Sequence, residues 1–186
     1  MPYSGSCSFS RDQMCRKTTY NRCCESGFER ERKLTKCDWC NPPEEDKKYL
    51  LFDSGCWSVF LANEQDYIGR CILVLKRHCG SMAEVTDDEW KDLLNLIRKL
   101  EMCLKTVFGA DLCNWSCLMN SFFKEPEPCP HLHVHVRPRY RNPVVINGNT
   151  YSDDSFGHHY STKKSAPISI EDMQAVFVRM KSWLNS

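Results

Sequence analysis

Short apolar runs bounded by polar or glycine-containing stretches open the folded part of the chain. They read as strands at Tyr49 to Phe52, Trp57 to Ala62 and Arg70 to Leu75, close enough in sequence to form a meander. The period then changes. Trp90, Leu93, Leu94, Ile97, Leu100, Leu104, Val107 and Phe108 recur at three-four spacing, which places them on one face of a helix that must pack on a sheet. Thr86-Asp87-Asp88-Glu89 starts this helix as a capping box: the Thr hydroxyl accepts from the third helical amide while Glu89 reaches back, and Val85 and Trp90 are spaced as a hydrophobic staple. Gly109, directly after Phe108, supplies the left-handed residue on which helices end. Cys113 to Met119 and Leu132 to Val136 return to a strand pattern, joined by a turn rich in Pro and Glu. A last helix is expected from about Glu171 to Leu184 behind a Ser169 cap, with Met173, Val176, Phe177, Met180 and Leu184 on one face. This order predicts an α+β fold: one domain with a mostly antiparallel sheet, one long central helix and a C-terminal helix.

The 186 residues, 41% of them hydrophobic, suffice for one such domain. Residues 1–34 mix Ser, Arg, Asn and Glu without periodicity, and Glu29-Arg30-Glu31-Arg32-Lys33 alternates in sign, so this segment is expected to be a polar, loosely ordered extension. Residues 35–145 are then expected to form the folded domain, and residues 146–186 a loop and helix packed on it. Lys plus Arg total 25 against 24 Asp plus Glu, a net charge of +1, which gives no global field to hold a nucleic-acid polymer. Apolar runs such as Cys71 to Leu75 fall far short of the ~20 residues that span a bilayer, so no membrane partner is expected. The first residues carry no apolar signal core, which with an odd count of 13 cysteines argues against a disulfide framework and for a reducing, cytoplasmic setting. There, buried thiols and metal ligands are the natural uses of cysteine.

The most informative stretch is His131-Leu132-His133-Val134-His135-Val136-Arg137-Pro138-Arg139. Alternate side chains of a strand share a face, so three imidazoles project one way at intervals of ~6.5 to 7 Å while Leu132, Val134 and Val136 face the core. All three could bind a metal, or they could divide between a metal ligand and a nucleophile. Cys37-Asp38-Trp39-Cys40 has metal-ligand spacing, and a tetrahedral ion would need two further ligands, for which His78 and one strand histidine are candidates. Four protein ligands leave no open position, so such a site would be structural.

These residues resemble the His-φ-His-φ-His-φ-φ signature of the histidine triad (HIT) superfamily, whose members are nucleotide hydrolases and nucleotidyl transferases. Tyr67 to His78 is similar to a further family strand, and Asn114 to Asn120 resembles the family's asparagine-containing strand, so the likeness runs over about residues 36 to 141. For the zinc-containing members the resemblance implies structural Zn2+ on Cys37, Cys40, His78 and His131. It implies that His133 attacks the α-phosphorus of a nucleotide to form a nucleotidyl-histidine, and that His135 donates a hydrogen bond to the leaving group. Asn120 would then either contact phosphate or leaving group, or serve as a strand-end amide that satisfies backbone. Arg137, with Arg139 and Arg141, either offsets phosphate charge or is a solvated strand-end cation. Phe156-Gly157-His158-His159-Tyr160 looks like a segment that follows the motif in some bacterial members, where His158 and His159 would either reach the nucleotide or remain loop residues. Dimerisation is usual in the family, which makes a homodimer an implied partner beside the nucleotide substrate. One feature departs from the family pattern: the turn Lys124-Glu125-Pro126-Glu127-Pro128-Cys129-Pro130 lacks phosphate donors, and its carboxylates would repel a polyphosphate if they pointed inward. The alternative to an enzyme is therefore a zinc-stapled nucleotide-binding module with little catalytic activity; a metallohydrolase with an open site on the strand histidines is a third reading.

Overall fold

The computed structural model describes residues 37–159 and 167–186. The expected extension over residues 1–34, and Tyr160 at the end of the Phe156 segment, lie outside the described residues. A one-turn helix, α1 (Glu44–Lys47), precedes the meander β1 (Leu50–Asp53), β2 (Trp57–Leu61) and β3 (Cys71–Leu75). The long helix α2 (Asp87–Phe108) follows, then β4 (Leu112–Ser116), β5 (His133–Arg139), the hairpin β6 (Val144–Ile146) and β7 (Asn149–Tyr151), and the C-terminal helix α3 (Ile170–Leu184). The fold is the α+β arrangement that the sequence predicts.

β1 to β5 form one antiparallel sheet in the order β1-β2-β3-β5-β4. The histidine strand β5 is thus interior: Val74 and Ile72 of β3 pair with His133 and His135 on one side, and Ser116 and Asn114 of β4 pair with His135 and Arg137 on the other. Satisfied on both edges, this backbone is a rigid support for a site. β4 is shorter than the sequence pattern suggests. Its ladder stops at Ser116, and Asn120–Lys124 forms a 3-10 turn. Pro126, Pro128 and Pro130 lack the amide donors that would extend the pairing beyond the start of β5.

Both halves of the capping box on α2 are present, with Thr86 accepting from the Glu89 amide and Glu89 from the Thr86 amide, and Gly109 closes the helix at φ 76°. The buried seam is Leu93, Leu96, Leu100, Cys103 and Leu104, whereas Trp90 and Leu94, expected in it, are 39% and 46% exposed. The seam is turned because Glu89, not Trp90, occupies its first position. Arg77 donates to the two Glu89 oxygens at 2.8 and 2.9 Å, which makes burial of that carboxylate tolerable and holds its pKa down to about 2. Trp57, wholly buried in β2, donates its indole N–H to the Glu89 carbonyl at 2.9 Å. The core between sheet and helices is closed by Val176, Met180 and Leu184 of α3.

Two glycines separate the cost of a left-handed backbone from the cost of contact. Gly148, at φ 87° in the two-residue β6–β7 turn, has open space where a Cβ would be. Gly69, at φ 85°, would place a Cβ 2.5 Å from the Leu104 side chain under α2. Gly148→Ala should cost roughly 1 kcal/mol of stability through strain alone. Gly69→Ala should cost about 2 to 4 kcal/mol because overpacking adds to that strain. Equal losses of the two variants in chemical denaturation would show that α2 yields freely over Gly69.

Candidate active site and metal centre

The tight turn after Cys37, in which the amides of Cys40 and Asn41 both donate to the Cys37 carbonyl at 3.1 Å, brings Cys37 and Cys40 together. His78 arrives from the end of β3 and His131 from the approach to β5. His131 Nδ1 lies 3.2 and 3.5 Å from the Cys37 and Cys40 sulfurs, and His78 Nδ1 lies 3.3 Å from Cys40 Sγ. One donor atom from each of the four residues falls within 4.8 Å of the others. Burial and the neighbouring Cys37 sulfur push the Cys40 thiol up to about 12. His131, fully buried, donates from Nε2 to the Leu75 carbonyl at 2.6 Å, leaving the Nδ1 lone pair turned to the sulfurs. Two crowded sulfurs and two imidazoles, one of them in the ligand tautomer, are a donor set that could hold a metal ion.

His133 has the opposite tautomer. Its Nδ1 donates to the His131 carbonyl at 2.9 Å, so the lone pair resides on Nε2, which no described residue hydrogen-bonds. The ring is only 4% exposed. Trp39 stacks on it at 5.6 Å and 24°, while Phe122 and His135 approach edge-on at 5.6 and 4.9 Å. His133 and His135 line a cavity of about 1030 Å³ walled by segments 37–46 and 118–129. Burial first, then the charges of His133, Arg137 and Arg70, lower the pKa of His135 to about 4. Its buried Nδ1 has no hydrogen-bond partner. Neutral at pH 7, His135 can donate a hydrogen bond without carrying charge.

The other expected residues are placed differently. Arg137, 8% exposed on the same strand face, sits beside Asp66 at 3.7 Å and donates to the Ser116 hydroxyl at 3.5 Å. Asn120 is exposed and opens the 3-10 turn rather than ending a strand; its neighbours Ser121 and Phe122 line the cavity, and Asn120 does not. His158 and His159 are exposed and also outside the cavity lining. The backbone at His158 is nonetheless fixed, since Arg139 forks onto Asp153 at 2.6 and 3.0 Å and donates to the His158 carbonyl at 2.9 Å. Glu125 and Glu127 do line the cavity, together with Asp38 and Asp46. Sequence reasoning missed Trp39 and Phe122 as the rings on His133. For Trp39 a signal existed, because a residue between two clustered cysteines must lie beside the strand they approach.

The HIT domain family model matches residues 43–142, more than half of the chain. The protein belongs to the HIT family. A relative from Schizosaccharomyces pombe, bis(5'-nucleosyl)-tetraphosphatase [asymmetrical], is 26% identical over 85 residues, 46% of this chain and 46% of its own length, so the match spans less than half of that protein. A uridylyltransferase structure superposes at TM-score 0.55 with 22% identity, over 85% of this chain and 48% of its own. A Zn-bound histidine triad family protein from Mycobacterium smegmatis superposes at TM-score 0.52 with 13% identity, over 80% and 96%. At these identities the structural likenesses show the fold. Among the described residues no helix is long and apolar enough to cross a membrane.

The lowered pKa of His135 carries a sign. The unfolded chain takes up this proton near 6.5 and the folded chain only near 4. Burial of the neutral ring therefore stabilises fully above pH 6.5, and that contribution is lost as the pH falls through 4. His135→Asn should remove this slope, so the stability gap between wild type and variant in urea should be smaller at pH 5 than at pH 7. A gap independent of pH would show that His135 titrates normally.

Proposed function

We propose that the protein is a nucleotide phosphohydrolase or nucleotidyl transferase that works through a nucleotidyl-histidine on His133, in a reducing, cytoplasmic compartment. The observation that carries this reading is the His133 Nδ1–His131 carbonyl hydrogen bond, which leaves the Nε2 lone pair at the cavity. In the first step Nε2 forms a bond to the α-phosphorus, and the pair of the breaking bond departs with the leaving group, which takes a proton. In the second, water or another acceptor attacks phosphorus, the P–N bond breaks back onto Nε2, and the attacking group loses its proton to solvent. His135 donates its N–H to the leaving atom as charge develops there. Arg137, on the same strand face as His133 and His135 and held beside Asp66, supplies positive potential for the phosphate. Asn120, His158 and His159 would meet only the parts of a substrate that extend beyond the cavity.

Cys37, Cys40, His78 and His131 would hold Zn2+. With four protein ligands the ion has no open position and serves as a staple between the 37–40 turn and the ends of β3 and β5. A second reading, a zinc-stapled nucleotide-binding module with little activity, is favoured by the 4% exposure of the His133 ring between Trp39 and Phe122.

Incubation with labelled nucleotides at mildly alkaline pH should trap an acid-labile adduct on the wild type. His133→Ala should lose at least ~10³-fold in turnover while retaining nucleotide binding. Full activity of that variant would overturn the mechanism; binding without adduct or turnover in the wild type would select the module. The purified protein should carry one equivalent of zinc. Cys40→Ser should carry less zinc and melt at lower temperature, and on chelation activity should decay with unfolding and not ahead of it. Immediate loss of activity in a still-folded protein would assign the metal to the chemistry instead.

A further inference from the structure

We propose that Arg70 and Arg137, drawn together by Asp66, are positioning residues that fix His135 as its Nε2–H tautomer, the form in which the ring can donate to a departing oxygen. The use of that donor rests on the role proposed above for His135; the tautomer does not. Ile72 of β3 pairs with His135 and Cys71 with Val136, so Arg70, directly before β3, falls beside Arg137 on the face that carries the histidines. Arg70 and Arg137 are only 9% and 8% exposed. Asp66 lies 3.0 Å from Arg70 Nη1 and 3.7 Å from Arg137 Nε, one carboxylate between two guanidiniums. Glu64, the other carboxylate on Arg70, is 3.4 Å away and mostly exposed, so the buried part of the cluster keeps a net positive charge. Two buried nitrogens in this patch have no hydrogen-bond partner among the described residues: Arg70 Nε and His135 Nδ1.

His131 and His133 each give a ring proton to a backbone carbonyl, whereas the buried nitrogen of His135 meets none. Its tautomer must be set another way. A guanidinium offers donors and no acceptor. An N–H at Nδ1 would be a buried donor left unpaired in a positive field, while a lone pair there is stabilised by that field. The proton therefore resides on Nε2, the nitrogen left for the cavity that His135 lines. After burial and His133, the same two arginines are among the influences that keep the ring neutral. Asp66 acts through them: it holds two like charges, which would otherwise repel each other, within reach of the imidazole. The ring then donates a hydrogen bond and stays uncharged, and the covalent step is that of the mechanism above.

The test reads the ring directly. In the full chain as purified, with nitrogen-15 in its histidine rings, multiple-bond proton–nitrogen spectra at pH 7 show which ring nitrogen holds the proton, and His135 is assigned by its absence from His135→Asn. Wild type should favour the proton on Nε2 over Nδ1 by ~20-fold or more; the ratio should fall at least ~5-fold in Arg70→Met and recover in Arg70→Lys, which restores the charge. Adenosine 5'-phenyl phosphate and its 4-nitrophenyl counterpart, equal in charge, then probe the donor, because less negative charge builds on the nitrophenolate oxygen. In Arg70→Met, kcat should drop roughly 10-fold or more for the phenyl ester and about 2-fold or less for the nitrophenyl ester, with KM little changed. A wild-type proton on Nδ1 overturns the inference even if Arg70→Met fails to fold, and so does a ratio indifferent to Arg70→Met or an equal loss on both esters. Absence of turnover and of a His133 adduct in the wild type would remove the nucleophile reading instead, and the tautomer ratio would still decide this one.

Discussion

Two backbone carbonyls divide the work of neighbouring histidines. The Leu75 carbonyl takes the Nε2 proton of His131 and leaves Nδ1 for the sulfurs; the His131 carbonyl takes the Nδ1 proton of His133 and leaves Nε2 for the cavity. Identical side chains two residues apart thereby acquire opposite tautomers, and with them opposite chemistry. Nothing in the imidazoles themselves makes this difference. It comes from where the chain runs: Leu75 ends β3, β3 pairs with β5, and the pairing carries the approach to β5 past that carbonyl.

Two arginine forks hold the frame in which those carbonyls sit. Arg77, next to His78, grips Glu89 at the start of α2, and Arg139, at the end of β5, grips Asp153. Both forks are bidentate and join strands that carry site residues to elements outside the sheet, so they resist relative sliding more than single contacts would. The drop in the Glu89 pKa and the rise in that of Arg77 are the same interaction seen from its two ends.

Much of this was legible in the sequence wherever the information is local. The capping box, the glycine end of α2 and the meander follow from residues within a few positions of each other. The alternating histidines announce a strand with one chemical face because its period is fixed by backbone geometry. What was not legible depends on contacts distant in sequence. The insertion of β5 between β3 and β4 is a long-range pairing choice. Trp90 and Leu94 looked like seam residues because the burial of Glu89 cannot be foreseen without Arg77 opposite it. The strand assigned up to Met119 stops at Ser116, and Asn120, His158 and His159, carried over from the family resemblance, are exposed, since a likeness along the chain does not fix where a side chain lies in space.

The aromatic enclosure of His133 links the two halves of the site. Trp39 lies between Cys37 and Cys40, so the peptide units that set the sulfurs also set the indole stacked on His133. A ring held between Trp39 and Phe122 is shielded from bulk water, which strengthens its hydrogen bond to the His131 carbonyl. The same enclosure narrows the approach to Nε2 to the side where the cavity opens. The turn that carries Cys37 and Cys40 therefore does more than open the domain. It fixes one wall of the cavity and, through one indole, the surroundings of the nitrogen that faces it.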